Sequence, residues 1–224
     1  MQMGKLAGGL ANVALTICAV VVTGLVIRQE FFKPPDSTAR PARPTKVLDW
    51  QLYAEGGHRS GPDDAPVTMV VFSDFQCPAC RLLAAHTKAL RAEFPGQLAI
   101  VHRHSPLSMH PFAIEAARAS ECAAEQDRFG AFHDALFVEQ AVIGLATWTR
   151  FAVAAGIPDI PAFDGCMAAN APDRTLHADT LAARKLKVAG TPTLLVNGLR
   201  FAGTPPLDTL RALVARAAAR QADE

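Results

Sequence analysis

The sequence predicts an α/β fold with an inserted all-helical domain, preceded by one N-terminal transmembrane helix. Three observations carry this. A β-branched run, Val67 to Phe72, passes through a short turn into Cys77-Pro78-Ala79-Cys80 and a helical stretch reaching Phe94. A block of alanine-rich, amphipathic helical segments then separates this unit from a later strand–turn–strand–helix. And Leu6 to Ile27 carries no charged side chain.

That last stretch is 22 residues long, bounded by Lys5 and Arg28. As a helix it spans ~33 Å, about the thickness of a bilayer's hydrocarbon core. No small-residue cleavage site follows it, only Arg28-Gln29-Glu30-Phe31-Phe32. An uncleaved signal anchor over residues 6–27 is therefore expected rather than a cleaved signal peptide. Residues 1–5 form a cytoplasmic N-terminus, and the rest faces the periplasm or extracellular space. The positive-inside rule alone points the other way, because Arg28, Lys33, Arg40, Arg43 and Lys46 outnumber Lys5. The cysteine chemistry below decides the orientation. Cys18 lies mid-span and reads as an apolar filler.

Residues 28–46 contain Pro34, Pro35, Pro41 and Pro44 and read as an extended linker. The formal net charge is +1 with no long basic run, so nucleic acid is excluded as a partner.

Val47 to Tyr53 is expected as a first strand, and Gly56 to Asp64 as a turn-rich connection. Val67 to Phe72 reads as a buried strand. The helix after it has Leu82, Leu83, Leu90 and Phe94 as its apolar stripe and stops at Pro95-Gly96. Leu98 to His102 is the next strand, parallel to the first through a right-handed crossover. His102, His104 and His110 invite a metal reading, but no carboxylate or further ligand stands nearby in sequence. An ordinary polar loop is expected there and no metal.

Residues 111–187 read as the helical insertion, with segments around Ala113–Ala124, Phe129–Phe137, Thr147–Gly156, Ile160–Ala169 and Asp173–Lys187. Residues 47–110 and 188–224 flank it and make one domain. In the second part, Thr193 to Val196 and Leu199 to Ala202 join through Asn197-Gly198, a hairpin signal, and Leu207 to Arg220 closes the chain as a helix.

Cys77 and Cys80 sit where a strand hands over to a helix. The first helical turn offers unpartnered N–H groups and a positive dipole end, which favour a thiolate at Cys77. Pro78 suits that turn because its missing N–H would have had no partner. A four-ligand zinc site would need a second pair at similar spacing, and none exists. Redox chemistry is expected instead. Cys122 and Cys166 lie on different helical segments; in an oxidising compartment a structural disulfide between them is expected rather than two buried thiols.

The order strand, Cys-Pro-x-Cys helix, strand, helical insert, Gly190-Thr191-Pro192, hairpin, helix resembles a thioredoxin fold with an inserted helical domain. The segments Phe72 to Cys80, Arg103 to Leu107 with His110-Pro111, and Val188 to Thr193 are similar to those of the DsbA-like thiol oxidoreductases. The resemblance covers roughly residues 47–220. It implies a cis Thr191-Pro192 bond beside Cys77, with Thr191 and Pro192 binding the substrate chain. It also implies thiol:disulfide exchange at Cys77 and Cys80 without metal or organic cofactor, acting on exported proteins with cysteines and recycled by a membrane redox partner. The reverse direction, as a reductase or isomerase, and a non-catalytic binding or chaperone domain are the alternatives. Two positions depart from the family pattern. Val71 stands where many relatives have an acid on the strand, so proton transfer at Cys80 falls to Asp74 or water. Ala79 stands where DsbA has histidine, which implies a weaker thiolate and a less oxidising disulfide.

Overall fold

The computed structural model describes Thr23, residues 43–169 and residues 174–222. The expected span at 6–27 lies outside the described residues apart from Thr23. Among the described residues no helix is long and apolar enough to cross a membrane.

Strands β1 (Thr45–Lys46), β2 (His58–Ser60), β3 (Val67–Ser73), β4 (Leu98–His104), β5 (Thr193–Val196) and β6 (Leu199–Ala202) form one sheet in the order β1-β6-β5-β3-β4-β2. β3 and β4 are parallel, with Val71 beside His102; β3 and β5 are antiparallel, with Val71 opposite Leu194. The parallel pair is joined by helix α2 (Pro78–Glu93), after the single-turn α1 (Gln51–Ala54).

β3 is buried along its whole length and its side chains alternate between two cores. Val67, Met69 and Val71 pack with Leu83 and Leu90 of α2 and with Leu210 and Val214 of α8 (Leu207–Ala222). Val70 and Phe72 face the other way, onto Tyr53, Val101, Leu186 and Leu195. Each such side chain contributes about 1.5–3 kcal/mol on burial, which is why this strand can hold the site that follows it in sequence.

Between β4 and β5 run α3 (Ala113–Ala124), α4 (Phe129–Val138), α5 (Trp148–Ala154), α6 (Ile160–Ala169) and α7 (Arg174–Lys185). Thr147 caps α5, its hydroxyl accepting from the Arg150 N–H. A disulfide joins Cys122 on α3 to Cys166 on α6, with Cα atoms 5.8 Å apart. α7 is tied to the sheet by a buried ion pair. Arg103 Nη1 donates to Asp179 Oδ1 at 2.6 Å, and the His104 N–H donates to Asp179 Oδ2 at 2.8 Å. Arg103 also donates to the carbonyls of Tyr53 and Glu55.

Several local expectations are corrected. Val47 to Tyr53 is not a strand: the edge pairing to β6 is taken by Thr45–Lys46, and the chain then turns into α1. Val47, Trp50, Tyr53 and Ala54 share one core at helical spacing. The turn-rich connection at Gly56 to Asp64 contains a strand, β2, paired antiparallel to β4 with His58 opposite His102. Gly57 permits this: its φ is +66° and a Cβ there would meet the His102 carbonyl oxygen at 2.4 Å. Leu82 is 51% exposed; the buried face of α2 is Cys80, Leu83, Thr87 and Leu90. β4 takes in His102 as expected and runs on to His104, so Arg103 and His104 belong to the strand rather than to the loop after it. The Asn197-Gly198 turn has φ of 42° and 85°, the doubly positive backbone that closes a two-residue hairpin.

Candidate active site

The site is built at the C-terminal end of β3. Ser73 ends the strand, and its carbonyl accepts from the Ser105 N–H at 2.8 Å. Asp74 then makes the turn. Its side chain is fully buried and accepts three bonds: from the Gln76 N–H at 2.7 Å, from the Leu107 N–H at 2.8 Å and from His110 Nδ1 at 2.8 Å. The first is the local bond by which an aspartate shapes a turn. The other two fasten the loop after β4 beside the cysteines.

Cys77 is the N-cap of α2, with φ −78° and ψ 119°, and Pro78 is the first helical residue. The Cys77 carbonyl accepts from the N–H groups of Cys80 and Arg81 and from Gln140 Nε2 at 3.0 Å. Gln140 Nε2 also donates to the Phe75 carbonyl at 2.8 Å, so the helical block holds the turn from the far side.

Both cysteines are free thiols; Cys77 is 7% exposed and Cys80 2%. Cys77 Sγ donates to the Thr191 carbonyl oxygen at 3.3 Å. The Thr191-Pro192 bond is cis, and the Gly203 N–H donates to the Pro192 carbonyl, which fixes the loop to the end of β6. The Thr191 hydroxyl is buried with no hydrogen-bond partner in this thiol form, so it is available to a thiolate.

The two sulfurs divide the proton unequally. The Cys80 thiol donates to the Cys77 sulfur, and this bond more than offsets burial; with Thr191 and the N–H groups of Ala79 and Cys80 it brings Cys77 down to about 5. Burial pushes the Cys80 thiol up, and its bond to Cys77 pushes it further. A nucleophile in front and a protonated partner behind is the arrangement that dithiol exchange requires.

The structure brings Cys77 and Thr191-Pro192 together. It assigns Asp74 differently from the sequence reading: its carboxylate is occupied by three donors, and only its backbone N–H reaches Cys80 Sγ, at 3.5 Å. A cleft of about 760 Å³ opens onto Cys80 and is lined by Ser73, Val71, His102 and His133, so solvent reaches the buried sulfur from that side. His110 parts from the other two histidines and binds Asp74. Gln76, whose side chain accepts from the Phe112 N–H, and Gln140 gave no signal in sequence. An aspartate directly after a strand was the available cue for Asp74.

His58 and Glu121 also escaped notice as a pair. Glu121 Oε1 accepts from His58 Nε2 at 2.5 Å and His104 Nε2 at 2.7 Å. Burial alone would raise the Glu121 carboxyl, but the two imidazoles outweigh it and hold it at about 2.

Solved structures share this fold. BdbD from Bacillus subtilis (oxidised) superposes with a TM-score of 0.66 at 20% identity, covering 80% of this chain and 97% of that one. The thiol-disulfide exchange protein alpha-DsbA2 from Wolbachia pipientis gives 0.63 at 22%, covering 75% and 90%. Both likenesses show a shared fold. Among curated relatives, the Na(+)/H(+) antiporter NhaA 1 of Mycolicibacterium gilvum is 39% identical over 191 residues, 84% of this chain. The NhaA 3 antiporter of Salinispora tropica is 36% identical over 204 residues, 89% of this chain. The chain spans 31% of the length of each. Residues 53–216 match the family model described as Thioredoxin, and the chain belongs to the thioredoxin family.

Proposed function

We propose that this protein is an extracytoplasmic thiol:disulfide oxidoreductase that works through Cys77 and Cys80 and forms or exchanges disulfides in exported proteins. One observation carries the reading: Cys77 caps α2, with its sulfur hydrogen-bonded to both Cys80 and the Thr191 loop.

In the oxidising direction a substrate thiolate attacks Cys77 Sγ of the Cys77–Cys80 disulfide. The S–S bond breaks, and Cys80 leaves with the electron pair and takes a proton from water in the cleft. A second substrate thiolate attacks the substrate sulfur of the mixed disulfide and expels Cys77 as a thiolate. The substrate gains a disulfide, and the two electrons remain with the Cys77/Cys80 pair as a Cys77 thiolate and a Cys80 thiol, which holds the one proton taken up. A membrane redox partner then removes them. No metal or organic cofactor enters the exchange itself. Thr191 and Pro192 bind the extended substrate chain by backbone pairing beside Cys77.

Residues 6–27 anchor the chain in the membrane, and residues 28–46 space the catalytic unit from it. The Cys122–Cys166 bond suits an oxidising compartment, which supports that orientation.

The test pairs insulin reduction with oxidation of a reduced substrate protein. Turnover is expected in both, and Cys77→Ser should abolish it. Cys80→Ala should accumulate mixed disulfides with substrate. Turnover retained by Cys77→Ser would overturn the reading.

A further inference from the structure

We propose that His58, His104 and Glu121 form a binding site for a divalent transition-metal ion of the zinc class, separate from the two cysteines.

The three residues come from three elements, β2, β4 and α3, and from positions 63 residues apart at the extremes. Their donor atoms lie within 4.8 Å of one another. Two imidazole nitrogens and one carboxylate oxygen are a donor set that suits zinc, whereas magnesium and calcium call for oxygen alone.

The geometry is close to what an ion needs. Donors on a tetrahedral zinc, bonded at about 2.0–2.1 Å, stand roughly 3.3 Å apart. Here the two nitrogens approach Glu121 Oε1 to 2.5 and 2.7 Å, so each nitrogen–oxygen gap has to open by less than about 1 Å. The ring centres of His58 and His104 are 6.1 Å apart; two imidazoles sharing an ion at such bond lengths stand roughly 5–6 Å apart. Both histidines direct Nε2 at the carboxylate. An ion bound there takes a lone pair from each ring once Nε2 carries no proton.

A second observation is independent of these three. His102 is 5% exposed, and its Nε2 is buried with no hydrogen-bond partner. Its ring centre is 5.1 Å from that of His104, on the same face of β4. A buried imidazole nitrogen without a partner is costly. His102 is not among the residues whose donor atoms lie within 4.8 Å of one another, so a water on the ion's fourth position, bonded also to His102, is what removes that cost. His58 keeps a side-chain exposure of 21% and lines the cleft, which gives the ion a way in. Phe129 stacks on the His58 ring at 3.5 Å and fixes its plane. An ion there would join the sheet edge to the helical block.

The experiment titrates Zn²⁺ into the full chain carrying Cys77→Ser and Cys80→Ser, which removes thiolate coordination. One ion per chain is expected, with a melting temperature that rises with Zn²⁺ concentration. His58→Ala and Glu121→Gln should each weaken binding at least tenfold. Circular dichroism checks that each variant is folded; Glu121→Gln nearly keeps shape and serves if His58→Ala does not fold. X-ray absorption on the loaded protein should give nitrogen and oxygen neighbours only. Absence of binding in the Cys77→Ser/Cys80→Ser chain, or affinity unchanged in the folded variants, would overturn the site. Neither result bears on whether Cys77 exchanges disulfides.

Discussion

The sulfur of Cys77 stands 3.3 Å from the carbonyl oxygen of Thr191, a residue 114 positions later in the chain. That one contact joins the start of α2 to the loop before β5, at the end of the sheet where Phe72 pairs with Thr193. It puts the sulfur beside the backbone of the cis Thr191-Pro192 loop.

The first prediction concerns how the pair titrates. Cys77 is lowered from its ordinary 9.0 to about 5, first by the bond from Cys80, while Cys80 is raised. Alkylation of the reduced protein should therefore hit Cys77 far faster than Cys80, with a rate that rises through a midpoint near pH 5. A group depressed on folding stabilises the folded state above its unfolded value and loses that effect as pH falls through its folded value. Stability of the reduced form should thus climb from pH 5 to 9. Above 9 it should decline, because unfolded Cys80 ionises while folded Cys80 keeps its proton. Denaturant midpoints across that range, compared with Cys77→Ser/Cys80→Ser, isolate the contribution. A flat difference between the two proteins would refute it.

A second prediction follows from position 79. The donors to the Cys77 sulfur are Cys80, Thr191 and two backbone N–H groups, and Ala79 adds no side chain of its own. DsbA reaches a thiolate pKa of about 3.5 and a potential of about −120 mV. With a thiolate less stabilised than that, the Cys77–Cys80 disulfide should be less oxidising. Ala79→His should lower the Cys77 pKa and shift the potential to more oxidising values, at about 30 mV for each 1.4 kcal/mol gained by the thiolate. Equilibration against glutathione reads both proteins. A wild-type potential equal to DsbA's would defeat the argument.

The parts of this site that were legible in sequence are those whose chemistry is local. Cys77, Pro78 and Cys80 announce themselves by spacing and by the strand before them. Asn197-Gly198 needs only two residues to specify a turn. Cis Thr191-Pro192 came from family resemblance, since most X-Pro bonds are trans. What stayed hidden depends on partners brought together by the fold. β2 is three residues long and exists because β4 offers an edge. Val47 to Tyr53 has β-forming residues, but Trp50 and Tyr53 gain more by packing at helical spacing. Glu121 lies 17 residues from His104 in sequence and 2.7 Å from it in space, so no window around the histidines contained their carboxylate.

Removing the Cys122–Cys166 bond provides the third prediction. It closes a separation of 44 residues within the helical block. The chain-entropy treatment gives about 4 kcal/mol for such a loop as an upper figure, and 2–4 kcal/mol is the usual range. Cys122→Ala/Cys166→Ala should lose stability of that order in denaturant unfolding. The geometry at Cys77 should survive, because Gln140, Asp74 and the Thr191 loop hold it without either sulfur. Alkylation of Cys77 at low temperature should therefore keep its wild-type pH midpoint. A shifted midpoint would mean that the disulfide positions the site as well as stabilising the block.

The last prediction tests the tie between α7 and the sheet. Arg103 and Asp179 have side chains 6% and 0% exposed, and their 2.6 Å bond is one of several that satisfy both groups. Breaking a buried pair on one side strands a charge and costs about 3–5 kcal/mol. Asp179→Ala should lose that much, because it leaves the Arg103 guanidinium uncompensated and the His104 N–H unpaired. Arg103→Met/Asp179→Leu removes both charges and should lose considerably less, although the His104 N–H still lacks its acceptor. Urea unfolding of the two variants beside the wild type separates the contributions. If the double variant were as unstable as Asp179→Ala, the cost would lie in packing and in the His104 amide rather than in the stranded charge.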